Sequence, residues 1–330
     1  MESLKAVVIT QYGSPTEALQ LEEVSTPEPA EDEILIRLYA SSVNPLDDFT
    51  IKGPLFFFPK AGRLLKPKHK IPGADFAGLV ESVGAKIEHF RSGDEVYGAS
   101  FMGKGMGAFA EYACTSENNL ALKPRNLSFE EAAAMPVAAI TALQGLRNHG
   151  QIRRGQKVLI DGASGGVGTF AVQIAKSFGA EVTAVCSPRN VDKARLIGAD
   201  HVIDYTQEDF TRSKLRYDLI LGANGHHSIF DYRRVLSRNG IFVLAGGSLA
   251  RMLPALSLGP ILSWIGNKKM RFFIAKMNRS DLVILKDLAE AGEIVPVIDR
   301  RYPLAEAAQA LLYREEGHAQ GKVVITIRSE

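Results

Sequence analysis

The sequence predicts an α/β protein in which a strand-rich N-terminal region precedes a parallel sheet with helical crossovers. Three observations carry that expectation. Short apolar runs bounded by Gly, Pro and Asp fill residues 1–123. Strands and helices then alternate between about residues 157 and 244. A glycine-rich loop, Asp161-Gly162-Ala163-Ser164-Gly165-Gly166-Val167-Gly168, lies between the first strand and the first helix of that alternation.

In the first region the runs Leu4–Ile9, Ile34–Leu38, Phe76–Val80 and Phe109–Ala113 read as strands, separated by turn signals such as Val83-Gly84 and Ser92-Gly93-Asp94. From Ser128 the character changes. Glu130–Leu146 is alanine-rich with helical spacing, and Ser128 with Glu131 three residues on fits an N-terminal cap. The domain junction is therefore expected at 123/124. The strand Lys157–Ile160, a helix ending at Phe178, the strand Glu181–Val185, a helix Asn190–Ile197 and the strands His201–Ile203, Tyr217–Leu221 and Gly240–Leu244 follow. Such spacing implies a parallel sheet with right-handed crossovers. Beyond about residue 265 come helix-like Ser280–Ala291 and Leu304–Arg314 and a closing strand Lys322–Ile327. There is no internal repeat and no low-complexity tract.

Composition bounds the partners. With 46% hydrophobic and 23% charged residues over 330 positions, the chain has apolar material for two cores. Its 39 basic and 37 acidic residues are scattered, which argues against nucleic acid as a partner. Cys114 and Cys186 are the only cysteines, too few for a disulfide framework or a cysteine-based zinc lobe. The opening residues run directly into a strand, so cytoplasm is the expected location. The apolar stretch Leu249–Gly266 is broken by Pro254 and Pro260, giving a loop or buried helix and no membrane span.

The glycine loop predicts dinucleotide binding, because a glycine turn between strand and helix lets backbone amides approach a pyrophosphate whose charge the helix N-terminus stabilises. Ala163 stands where the first glycine of G-x-G-x-x-G usually is. NAD-preferring sites place a carboxylate at the end of the second strand, about 20 residues on. Here the chain has Cys186-Ser187-Pro188-Arg189-Asn190, with Lys193 one turn further. A hydroxyl and a guanidinium suit a 2′-phosphate, so NADP(H) is the expected cofactor. Lys193 is equally well explained as a solvated charge at a helix start. None of the nine tyrosines has lysine four places on, which excludes the Tyr-x-x-x-Lys acid of short-chain dehydrogenases.

These residues match a family. Ser42-Val43-Asn44-Pro45-Leu46-Asp47, Pro72–Gly78, Ala133-Ala134-Met135-Pro136 to Leu143, the glycine loop, Gly198–Tyr205 and Gly317–Lys322 together resemble the zinc-free quinone oxidoreductase branch of the medium-chain dehydrogenase/reductases, over nearly the whole chain. The resemblance implies a GroES-like β-rich catalytic domain over 1–123, completed by 266–330. Between them, over 124–265, it implies a Rossmann doubly wound parallel-sheet domain, with a cofactor cleft where the two meet. It further implies Asn44 beside the nicotinamide, supported by Asp47 and Lys52. Thr141, Ser164, Gly165, Gly166, Val167, Gly168, Ser187, Arg189, Lys193, Tyr205, Asn224 and the Ala245-Gly246-Gly247 turn would line the cofactor path. Zinc alcohol dehydrogenases carry thiolate and histidine ligands where this chain has Asn44, Ala74 and Val137. Two departures from the branch stand out: Lys52, often arginine, and a long apolar loop at 54–70 with Phe56, Phe57 and Phe58. A homodimer through a sheet edge, with Ile241–Leu244 as the candidate strand, is also carried over.

The expected reaction is metal-free hydride transfer from NADPH to a quinone or an α,β-unsaturated carbonyl, whose product oxyanion is delocalised and needs little electrophilic help. The Asn44 amide or the cofactor ribose hydroxyl is the expected donor to that oxyanion. Asn44 before Pro45 also suits an Asx turn. The alternative from another class is an NADPH-binding redox sensor or structural protein with little turnover.

Overall fold

The computed structural model describes residues 3–53, 67, 71–100, 107–224, 227–246, 257, 259–264, 266–317 and 319–329. They form two units. The first comprises Met1–Val137, Met277–Glu290 and Ile298–Glu330; the second comprises Ala138–Lys276 and Ala291–Val297.

In the first unit β1 (Ser3–Ile9) pairs antiparallel with β2 (Leu19–Ser25), joined through the short helix α1 (Pro15–Ala18). The strand β3 (Glu33–Ser42) is the hub. Seven of its ten residues are buried and none is exposed, and it leads into α2 (Pro45–Lys52). β4 (Asp75–Val83) lies antiparallel along β3, with Asp75 opposite Ser42; β5 (Glu95–Ala99) follows, then β6 (Tyr112–Ser116), which pairs with the start of β3, and β7 (Leu120–Leu122) on β5. The expected strand at Phe109–Ala113 is shifted: Ala110 makes only an isolated bridge to Ala6, and regular pairing begins at Tyr112. Gly78 and Gly98 face neighbouring backbone so closely that a Cβ would lie 2.1 Å from the carbonyls of Arg37 and Asn119, which explains glycine in mid-strand.

The alanine-rich segment is not one helix. α3 (Phe129–Ala133) opens on the expected cap, with the Ser128 hydroxyl accepting from Glu131 N–H, and packs on β3 and β4 of the first unit. It stops at Ala134, and α4 (Pro136–Leu143) starts on Pro136, which has no N–H to continue the ladder. A π-helical turn, Gln144–His149, ends the segment. Helical periodicity alone did not reveal this break. The packing of α3 also puts the division between units at Val137/Ala138, whereas the sequence placed the junction at 123/124.

The second unit is a parallel sheet: β8 (Lys157–Asp161), α5 (Gly166–Ser177), β9 (Glu181–Cys186), α6 (Val191–Leu196), β10 (His201–Asp204), β11 (Tyr217–Gly222), α7 (Ile229–Val235), β12 (Leu236–Leu244) and β13 (Lys269–Phe272). Among the described residues the strands lie in the order β10-β9-β8-β11-β12-β13, all parallel, so the winding reverses between β8 and β11. One face of the sheet packs Leu159, Ile220 and Phe242 against Tyr232 and Val235 of α7, with the Tyr232 and Phe242 rings stacked 4.2 Å apart. Two elements were not anticipated, α7 and β13. The second changes an expectation: Ile241–Leu244 lies inside the sheet, paired on both sides, and β13 is the edge. Of the apolar stretch 249–266, residues 259–264 are helical, but Ile261 and Trp264 are exposed, so it is not a buried helix. The Phe56–Phe58 loop falls outside the described residues.

The chain returns to the first unit through α8 (Arg279–Glu290), whose Leu282 carbonyl accepts from the fully buried Tyr97 hydroxyl at 2.6 Å. Then β14 (Ile298–Pro303), α9 (Ala307–Glu315) and β15 (Lys322–Thr326) complete it. β15 lies antiparallel to the end of β3, with Val324 opposite Ser42, and Val43 N–H extends that ladder to the Val323 carbonyl.

Truncating Phe242 to alanine removes the Tyr232 stack and the centre of the core around α7. The expected cost is about 3–5 kcal/mol, seen as a lower chemical-denaturation midpoint for the second unit; an unchanged midpoint would contradict this packing.

Candidate active site

In the first unit the register of three strands gathers a buried polar cluster at the end of β3. Ser41, Ser42, Asn44, Asp47, Asp75 and Lys322 are each at most 3% exposed. Asp75 is its centre. One carboxylate oxygen accepts from the Val137 N–H at 2.8 Å; the other accepts from the Ser42 hydroxyl at 2.6 Å, the Asn44 amide at 2.8 Å and the Lys322 ammonium at 3.1 Å. A buried carboxylate is tolerable only when so compensated.

Asn44 is the N-cap of α2, but its own side chain is engaged elsewhere. The Asn44 N–H donates to the Asp47 carboxylate at 2.7 Å, while the side-chain amide donates to Asp75 and to the Ser42 carbonyl at 3.2 Å and accepts from Lys322 at 2.7 Å. Both amide hydrogens are thus used within the cluster. Asp47 in turn accepts from the Asn44 N–H, so the two residues close the start of α2 as a capping pair.

Burial pushes the Asp47 carboxyl up to about 7, with Asp75 adding to the rise while the Asn44 N–H and Lys322 oppose it. The neighbouring Asp48 pairs with Arg314 of α9, and burial still raises its carboxyl above the usual range. Lys52, at the end of α2, pairs with Glu315 at 2.6 Å and is outside the cluster. Four members were not assigned to a site from the sequence: Ser41, Ser42, Asp75 and Lys322. The available signal was a charged residue set directly against apolar strand residues, Asp75 before Phe76 and Lys322 before Val323.

In the second unit nearly all of the expected cofactor residues lie at the carboxyl ends of the parallel strands, around the point where the winding reverses. Gly162 follows β8 with φ +84°, and a Cβ there would lie 2.9 Å from Asn224, which follows β11. The Asp161 carbonyl accepts from Ala223 N–H at 2.9 Å, so the turns after β8 and β11 are held side by side. Below them the Asp161 carboxylate accepts from the buried Tyr232 hydroxyl at 2.5 Å. A Cβ on Gly168 would come within 2.1 Å of the Gly162 carbonyl, so glycine is what lets α5 begin against the turn. At Gly165 a Cβ would meet only the Gly162 carbonyl at 3.7 Å, leaving an open cradle. Thr169 N–H is bonded to the Gly165 carbonyl, and the N–H groups of Gly166, Val167 and Gly168, being earlier in the first turn, have no acceptor within the helix. Cradle, amides and helix end fit a pyrophosphate.

Ser187 follows β9, its hydroxyl accepting from the Asn190 amide at 2.9 Å; Arg189 is exposed and Lys193 half-buried one turn on. Tyr205 follows β10 and donates its N–H to the Cys186 carbonyl at 3.2 Å. The neighbouring carboxylate, Asp204, is turned into its own turn, accepting from Thr206 N–H at 2.9 Å and its hydroxyl at 2.8 Å. Ala245 and Gly246 follow β12, Gly247 lies outside the described residues, and Thr141 sits buried on α4.

A β-rich unit with a buried polar cluster, together with a doubly wound unit bearing a dinucleotide turn, defines a two-domain dehydrogenase. Comparison with known proteins agrees. An alcohol dehydrogenase GroES-like domain model matches residues 30–125, and a zinc-binding dehydrogenase model matches residues 197–325. The 2-methylene-furan-3-one reductase of Solanum lycopersicum is 35% identical over 98% of this chain and 79% of its own length. The chloroplastic NADPH-dependent alkenal/one oxidoreductase of Arabidopsis thaliana is 32% identical over 98% of this chain and 80% of its own. The quinone oxidoreductase structure from Coxiella burnetii superposes with a TM-score of 0.86 at 30% identity, covering 99% of this chain and 100% of that one. The chain belongs to the medium-chain dehydrogenase/reductase family, which binds nicotinamide dinucleotides. Among the described residues no group of three or more His, Cys, Asp or Glu side chains is placed to hold a metal ion.

The Asp47 environment has a measurable consequence. Its folded-state value lies above the ordinary 3.8, so the folded chain holds a proton that the unfolded chain releases. The stability this gives is complete at low pH and is lost as pH rises from about 4 towards 7. Asp47→Asn, neutral throughout, should therefore gain on the native chain across that window by at most about 1.4 kcal/mol per pH unit. Denaturant titrations at several pH values check it, and a difference independent of pH would contradict the buried, proton-holding carboxyl.

Proposed function

We propose that this protein catalyses NADPH-dependent, metal-independent reduction of a quinone or an α,β-unsaturated carbonyl. The observation that carries the reading is the set of strand ends in the second unit: a pyrophosphate cradle after β8 and, after β9, a hydroxyl and an exposed guanidinium in place of a carboxylate. The relatives named for quinone and for alkenal/one reduction support the same chemistry.

The bound dinucleotide supplies the hydride. The amides of Gly166, Val167 and Gly168 hold its pyrophosphate, Ser187 and Arg189 bind the 2′-phosphate with Lys193 adding charge, and Tyr205, Asn224, Ala245 and Gly246 border the path. Asn44 and Asp47 serve the reacting end, and Thr141 belongs to the cofactor path. Asn44 shapes that end, because its amide hydrogens are committed to Asp75 and the Ser42 carbonyl; a bound dinucleotide would supply a ribose hydroxyl as the hydrogen-bond donor there. Lys52, paired with Glu315, supports α2 from outside. No step calls for a metal, since quinone and enone products carry a delocalised charge. The two cysteines are free and buried, which suits a reducing compartment such as cytoplasm, and no helix among the described residues is long and apolar enough to cross a membrane.

We also propose a homodimer, with β13 as the contact in place of Ile241–Leu244. β13 leaves its outer ladder unpaired among the described residues, and exposed Ile261, Trp264 and Ile274 lie beside it in the chain, tied to the strand by the Ser263 hydroxyl, which accepts from Met270 N–H at 2.8 Å.

Steady nicotinamide oxidation with p-benzoquinone and an alkenal, run with NADPH and with NADH, tests the activity. NADPH should be preferred, and Arg189→Ala should raise the KM for NADPH by roughly tenfold or more while sparing NADH. A preference for NADH, or no turnover with either acceptor class, would overturn the reading. For the dimer, light scattering should show two copies for the native chain and one for Trp264→Asp/Ile274→Asp; a native monomer would refute it.

A further inference from the structure

Lys322 opens β15 with its side chain 3% exposed, and its proton count closes. An ammonium has three protons, and three acceptors surround it: Asn44 Oδ1 at 2.7 Å, Asp75 Oδ2 at 3.1 Å and the Val43 carbonyl at 3.2 Å. Lys322 therefore has no proton left for a substrate. It does decide how Asn44 stands. Reversing the Asn44 amide would set its NH2 against the ammonium and its oxygen against the Asp75 carboxylate, two repulsive contacts in a buried site.

We propose that Lys322, with Asp75 as its counter-charge, is a positioning residue for the reduction: it locks the Asn44 amide and the entry into α2 by cross-linking β3, β4 and β15 through charge. The inference deepens the functional reading above and rests on it for the role of Asn44. Its electrostatic reach is open to direct measurement at Asp47. That carboxyl faces Asp48 on its own helix, Asp75 from β4 and Lys322 from β15; α9 adds Arg314 and Glu315, which are paired with Asp48 and Lys52. Deleting the Lys322 charge must push Asp47 up, and deleting the Asp75 charge must let it fall.

The test uses the full chain and two readouts. In the cofactor-free protein, carbon-13 NMR titration of the Asp47 carboxyl, assigned with Asp47→Asn, should show the midpoint rise by about half a pH unit or more in Lys322→Met and fall in Asp75→Asn; an unmoved midpoint overturns the proposal. In turnover with NADPH and p-benzoquinone, Lys322→Met should lose roughly tenfold or more in kcat, while NADPH binding by fluorescence titration stays near native. The double variant Lys322→Met/Asp75→Asn removes the orphaned carboxylate, so thermal stability should return while kcat stays low. Recovery of kcat along with stability would make Lys322 structural only and sink the proposal. A native chain that reduces neither quinone nor alkenal would overturn the reductase reading and the kinetic half with it, and the titration would still decide whether Lys322 governs the cluster.

Discussion

One carboxylate constrains the first unit more than any other group. Asp75 is fully buried, and taking a charge out of water costs several kcal/mol unless its lone pairs are met. They are met only if β4 lies in register with β3, so that Ser42 is opposite; if β15 lies in register with the far end of β3, so that Lys322 arrives; and if the chain turns at Met135, so that Val137 presents its N–H. Withdrawing one partner from such a set typically costs about 3–5 kcal/mol. The polar cluster therefore specifies strand pairing as well as forming a site, and the apolar cores around Val43, Ile51 and Leu311 supply the bulk attraction.

The second unit depends on a different economy of groups. Its site is made of backbone, with side chains mainly refusing space: Gly168 and Gly162 permit the close approach of helix, turn and neighbouring loop, and the helix end supplies donors that are already oriented. In the proposed function, selectivity between phosphorylated and unphosphorylated ribose would rest on a few side chains at the ends of β9 and β10. There Asp204 is occupied by Thr206 and so is held by its own turn.

How far the sequence could be read follows from the range of each determinant. The strands β8, β9, β11 and the second half of β12 are short apolar runs beside a glycine turn, and all their signals are local. The segment Ile229–Val235 was overlooked although Ser228 and Asp231 form a capping pair at its start, and Lys269–Phe272 because four residues of mixed polarity carry no strand pattern. The break at Pro136 was outweighed by alanine content. The orientation of the Asn44 amide was beyond reach, since it is set by Asp75, 31 positions away, and Lys322, 278 positions away.

That last separation bears on how the molecule comes into being. The Asp75–Lys322 pair joins residues 247 apart, and the whole parallel-sheet unit lies between them in the chain. Loop closure over such a span is slow compared with the local pairings of a nearly continuous segment. On the ribosome the parallel sheet can consolidate while the N-terminal strands still wait for their last neighbour, and during that interval Asp75 must stay hydrated and its hub strand only partly covered. The Asp75–Lys322 pair can therefore close only after the whole inserted unit and β15 have been made.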